Sequence, residues 1–197
     1  MDVSRLMLFA FGAVGLVNLV LVLRVTARMR AMDTSREERH VGGDPLPIGS
    51  EAPSYNALTL AGQGMTNMRL AGRSVAYLFV SPDCDHCRDL LPMVDELGAL
   101  AARAARVQLV LVADVGPQRV RSWLETVKEE DGVTVKMPVL AAPPSRSMMT
   151  VDYNPTGLLP YFCLVDEAGL VVDRGTAGGA EWNRLMELWR SADAVRV

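Results

Sequence analysis

Two cysteines stand one helical turn apart in VSPDCDHCRDLLP, residues 80–92, where an apolar run gives way to charged and helix-forming residues. The thiolate is the reactive form of cysteine, and the unpaired N–H groups of a helix start favour it. With Cys84 at that start, Cys87 lies on the same side one turn later and can close a disulfide with it. His86, when charged, favours thiolate and makes the pair more oxidising, whereas Asp83 and Asp85 oppose it. The helix terminus and His86 are expected to dominate, because an exposed carboxylate beside a thiol is screened at physiological salt.

The same C-x-x-C spacing supplies half of a structural zinc site. Such a site needs four ligands, and only Cys163, His40 and His86 remain to complete it. Two inert buried cysteines are the other reading, set against the tendency of function to collect at a corner between sheet and helix. Three cysteines in 197 residues are too few for a disulfide framework, so a redox pair or a metal clip is favoured. A net charge of −3 with both signs interspersed offers no basic patch for a phosphate backbone, which excludes nucleic acid as an expected partner.

The elements that must position the pair alternate between strand and helix. Ser74 to Ser81 is a short apolar run suited to a buried strand, and a helix follows from about Cys84 to Ala104, apolar at Leu90, Leu91, Val94, Leu97 and Leu100. Val107 to Ala113 is a second buried strand, Pro117 to Glu130 a second amphipathic helix, and residues 137–142 a further short strand. Pro160 to Val165 and Leu170 to Val172 flank Asp166-Glu167-Ala168-Gly169 and read as a hairpin; Glu181 to Ala192 closes the chain as a helix. This order implies an α/β domain with a parallel sheet covered on both faces and finished by an antiparallel hairpin. Trp123, Trp182 and Trp189 fall in helices and are assigned to packing.

Ahead of that domain, Leu6 to Leu23 is a run of 18 residues with no charge and only Asn18 as a strong polar interruption. That is about the minimum that spans a bilayer as a helix. A cleavable signal peptide has a shorter apolar region and a small-residue cleavage site; here Arg24, Arg28 and Arg30 follow instead. Residues 1–25 are therefore expected as a membrane anchor in contact with lipid through residues 6–23. Residues 26–48 are expected as a stalk and linker, broken by the glycines and prolines of VGGDPLPIGS, and 49–197 as the folded domain. The only basic groups before the span are Arg5 and the N-terminus, so charge counting alone favours a cytoplasmic C-terminal side.

Two prolines add specificity. Pro92 lies eight residues after Cys84, inside the helix, and Pro160 opens an apolar strand, where it is tolerated and can be cis. With these, the chain from about Pro47 to Trp189 resembles the thioredoxin superfamily: strand, C-x-x-C at a helix start, kinking proline, then a cis-proline opening a strand and hairpin. Pro160 matches the cis-proline that packs against the dithiol there and helps form the substrate groove. PIGSEAPSYNALTLAGQ looks like the opening of the redoxin and TlpA-like branch. FVSPDCDHCRDLLP and LLPYFCLVDEAGLV, with a single anchor, look like the MauD type of membrane-tethered thioredoxin, accessory proteins of methylamine utilisation. That resemblance implies an extracytoplasmic, single-pass protein that forms, isomerises or reduces disulfides of a partner protein. The carrier would be the dithiol itself, with no cofactor or metal, and an integral-membrane redox partner could recharge it. Asp85-His86 departs from the Pro-Val that the type usually carries between its cysteines.

The residues expected to act are thus Cys84, Cys87, Pro160 and His86. Two other functions stay open. A redoxin-type peroxidase would use Ser81, three residues before Cys84, where that group has a threonine. A redox-silent or metal-handling subunit of a membrane complex would use the groove only to bind, although copper chaperones of this fold use C-x-x-x-C and a distant histidine that this chain lacks. Cys163 in PYFCLV shares a strand face with Tyr161 and Val165 and reads first as a small buried hydrophobe, with a third redox partner as the alternative.

Overall fold

A computed structural model describes residues 43–195, together with residues 18, 19 and 24. Apart from those three residues the expected anchor, and most of the stalk, lie outside the described residues. Among the described residues no helix is long and apolar enough to cross a membrane.

The domain is built on one mixed sheet. Its strands are β1 (Asn56–Thr59), β2 (Gly64–Thr66), β3 (Ser74–Val80), β4 (Val107–Ala113), β5 (Val139–Ala141), β6 (Tyr161–Val165) and β7 (Val171–Thr176), in the spatial order β2-β1-β5-β4-β3-β6-β7. The helices are α1 (Asp85–Ala105), α2 (Pro117–Asp131), α3 (Met149–Tyr153) and α4 (Ala180–Val195). β3, β4 and β5 run parallel; β1 joins β5, β6 joins β3, and β7 joins β6, all antiparallel. SVAYLFV and VQLVLVA take the centre because near-continuous apolar runs suit strands buried on both faces.

Alternation then sorts the side chains. Ala76, Leu78 and Val80 of β3 face one layer, where Cys87, Leu90, Leu91 and Val94 of α1 meet Trp182, Leu185 and Trp189 of α4. The two crossovers β3-α1-β4 and β4-α2-β5 progress the same way along the sheet, so a common hand places α1 and α2 on the same face, and Val120 and Val127 of α2 join this layer. Val75, Tyr77 and Phe79 face the other layer with Val110, Val112, Tyr161 and Cys163.

The second layer holds the short α3 and a segment whose first part was expected to be the end of a linker. From Gly43 onward that segment lies against the domain: the Gly43 N–H donates to Pro155 O (3.0 Å), Gly49 N–H to Val171 O (2.7 Å) and Ala52 N–H to Gly169 O (2.8 Å). Leu46 packs on the aromatic layer, its carbonyl accepts from Arg174 Nε, and the Tyr153 hydroxyl donates to Pro53 O (2.6 Å). Glycine and proline mark irregular backbone, and irregular backbone can lie on a sheet face as readily as cross solvent.

Candidate active site

The dithiol stands at the carboxyl end of β3. The chain leaves the sheet at Ser81, which is buried, and turns so that the Cys84 N–H donates to Ser81 O (3.2 Å) and the Asp83 N–H to Ser81 Oγ (3.3 Å). Cys84 is the N-cap of α1 in extended conformation, and its Sγ accepts from the Cys87 N–H (3.2 Å). A sulfur in that position takes up one of the unpaired donors of the helix start and sits at the positive end of the helix dipole, so its anion is favoured. Cys84 and Cys87 are joined as a disulfide with Cα atoms 5.2 Å apart. Cys87 is fully buried under α1 and Cys84 is half-buried, so Cys84 is the sulfur a partner can reach.

The Leu159–Pro160 bond is cis. β6 pairs with β3 so that Tyr161 lies opposite Phe79, which places the buried Pro160 beside the last residue of β3, at the same end of the sheet as the dithiol. α1 continues through Pro92 to Ala105. His86 is placed differently from the other three expected residues: its side chain is 87% exposed, with Nδ1 3.9 Å from Asp89 Oδ2. A charge there acts through water and is strongly screened.

Of the two carboxylates expected to work against thiolate, Asp83 is engaged in an ion pair. Asp83 is paired with Arg119, on the first turn of α2, at 2.5 Å. Arg88, next to Cys87, reaches the other end of the same helix through Glu130 (2.6 Å) and Asp131 (2.8 Å). Asp114, the residue after β4, lies beside Ser81, because parallel pairing aligns Val80 with Ala113. One of its carboxylate oxygens is buried without a hydrogen bond, and burial raises its pKa above the ordinary value, opposed by the Ser81 hydroxyl and Arg119 and reinforced by Asp83. Asp114 and Arg119 were not singled out in the sequence. The available signal was position: an acidic residue directly after a central strand falls at the carboxyl end of the sheet, where α/β folds gather their sites.

A carboxyl with a raised pKa keeps its proton longer in the folded protein than in the unfolded chain, so its ionisation costs stability. The cost is absent below the unfolded value and grows as pH rises through the folded one. Asp114→Asn is therefore expected to unfold at higher urea than the parent at pH 7 and to lose that advantage at pH 3.

Cys163 is fully buried in β6, opposite Tyr77, in the layer on the far side of the sheet from Cys87. Burial pushes its thiol up to about 12. The structure therefore gives it the role of a small apolar residue and separates it from the dithiol. Among the described residues no three His, Cys, Asp or Glu side chains converge as metal ligands.

No family model matches the sequence, and no curated protein matches it. Solved structures do. A Bacteroides thetaiotaomicron protein described as a protein disulfide isomerase superposes with TM-score 0.60 at 18% identity, covering 77% of this chain and 91% of its own. The thioredoxin domain of a thiol-disulfide oxidoreductase from Bacteroides vulgatus gives 0.53 at 20% identity, over 72% and 97%. The fold is thioredoxin-like. A thiol peroxidase from Chromobacterium violaceum also superposes, at 0.55 and 16% identity over 78% and 91%, so the fold is shared by more than one chemistry and the site must decide between them.

Proposed function

We propose that this protein is a membrane-tethered thiol–disulfide oxidoreductase acting on the disulfides of a partner protein outside the cytoplasm, in the manner of the MauD type. The observation that carries the reading is the reachable Cys84 sulfur at the N-cap of α1, bonded to a fully buried Cys87. In the oxidising direction a substrate thiolate attacks Cys84 Sγ. The substrate–Cys84 bond forms, the Cys84–Cys87 bond breaks, and Cys87 leaves as a thiolate and takes up a proton. A second substrate thiolate then attacks the substrate sulfur and releases Cys84, so two electrons and two protons pass from the substrate to the dithiol. The reverse sequence reduces a substrate disulfide. Pro160 and the backbone beside it hold the substrate strand, and the dithiol needs no further cofactor.

The enzymatic alternative, a redoxin-type peroxidase, draws on Ser81. That hydroxyl is buried in the turn, accepting from Asp83 N–H and lying beside Asp114, which does not present it to a peroxide. The span of residues 6–23, the extracytoplasmic side and an integral-membrane partner that recharges the dithiol complete the proposal.

In cells carrying full-length Cys87→Ala, mixed disulfides with Cys84 should accumulate and appear as slower bands on a non-reducing gel. They should vanish with reductant and in Cys84→Ala/Cys87→Ala; no adducts would refute protein disulfide exchange. After reduction of intact cells, a membrane-impermeant maleimide should label Cys84, and protection would place the domain on the cytoplasmic side.

A further inference from the structure

We propose that Arg119 is a positioning residue that sets the reactivity of the dithiol by pairing with the Asp83 carboxylate and offsetting its charge beside Cys84. The inference rests on disulfide exchange through Cys84 and adds a second element, α2, to the control of that site. Asp83 immediately precedes Cys84 in the turn fixed by Ser81, and its carboxylate meets the Arg119 guanidinium at 2.5 Å. The two side chains are 68% and 58% exposed. A pair so open to water contributes little to stability.

The neighbour of that pair is the Cys84 sulfur. A unit charge within a few ångströms of a thiol, in a medium between protein surface and water, shifts it by roughly half a unit to one unit, a carboxylate upward and a guanidinium downward. With the pair intact the two contributions cancel and the helix terminus decides. The other groups around the turn are Asp85 and His86, both exposed on the first turn of α1; Arg88, already engaged by Glu130 and Asp131; and Asp114, whose carboxyl lies beside Ser81 within the influence of both Asp83 and Arg119. Arg119 is the α2 residue that meets the neighbour of Cys84, whereas Glu130 and Asp131 of the same helix meet Arg88, the neighbour of the buried Cys87. A more stable Cys84 thiolate favours the reduced form, so the same balance sets how oxidising the disulfide is.

The test is a set of full-length variants in detergent: Arg119→Ala, Asp83→Asn, both together, and Arg119→Lys. Two readouts are used, the pH dependence of Cys84 alkylation after reduction and the equilibrium of the disulfide with glutathione buffers. Arg119→Ala should raise the Cys84 midpoint by about half a unit to one unit and make the protein more reducing. Asp83→Asn should move both readouts the opposite way. The double variant should return close to the parent, and Arg119→Lys should keep most of the parent behaviour. A pair that only braces the turn would give the two single variants shifts of the same sign, and that result, or shifts below about 0.2 unit, overturns the proposal. A parent protein whose dithiol does not exchange with glutathione at all would instead refute the underlying function.

Discussion

Cys84→Ala is expected to bring exchange with a synthetic dithiol peptide down to the uncatalysed rate, a loss of at least about a hundredfold, because the sulfur that forms the covalent intermediate is gone. Cys87→Ala should behave differently. Its Cys84 keeps the N-cap position and still reacts once with a disulfide, but the mixed disulfide then waits for an external thiol, so turnover falls while the first step survives. A stopped-flow measurement that separates the first step from turnover checks this asymmetry. Equal loss of the first step in both variants would mean that the two sulfurs have interchangeable roles, contrary to the burial of Cys87 and the exposure of Cys84.

The largest effect on stability is expected from Phe79→Ala. Phe79 is fully buried in the middle of the sheet, with ring centroids 6.2 Å from Tyr153 and 6.5 Å from Tyr161. Removing the ring leaves a cavity walled by other rings and rigid strands, for which a loss of about 3–5 kcal/mol is typical. Against a total of about 5–15 kcal/mol for a domain, that is a large share. Urea denaturation followed by tryptophan fluorescence reads it directly. Phe79 faces the layer away from Cys87, so the fraction that remains folded should keep the alkylation rate of Cys84. A slower Cys84 in the folded fraction would show that the two layers are coupled through β3.

These predictions draw on information of different kinds. β4 was legible to the residue and α1 and α2 nearly so, because continuous apolar runs and 3.6-residue periodicity are local signals. β1, β2 and α3 were not, since elements of four, three and five residues carry too few positions for a pattern to repeat. The segment from Gly43 to Ile48 was read as linker for a related reason. Its composition describes backbone irregularity, whereas its attachment depends on carbonyls and amides of residues more than a hundred positions away.

The active site divides along the same line. The sequence by itself determined the dithiol: two cysteines one turn apart at a strand-to-helix junction, with Pro160 opening a later strand, because the spacing of sulfur, helix start and proline is written along the chain. It also determined that Cys163 shares a face with Tyr161 and Val165. Which face that is, and hence that Cys163 is kept apart from Cys87 by the sheet, was decided by the register that sets Cys163 against Tyr77. Tertiary structure alone turned His86 to solvent, brought Arg119 to Asp83 and placed Asp114 beside Ser81. Those relations arise when parallel pairing of β3 and β4 brings together residues more than thirty positions apart. A charge acts according to its distance through space and its access to water, and neither quantity exists until the sheet has formed.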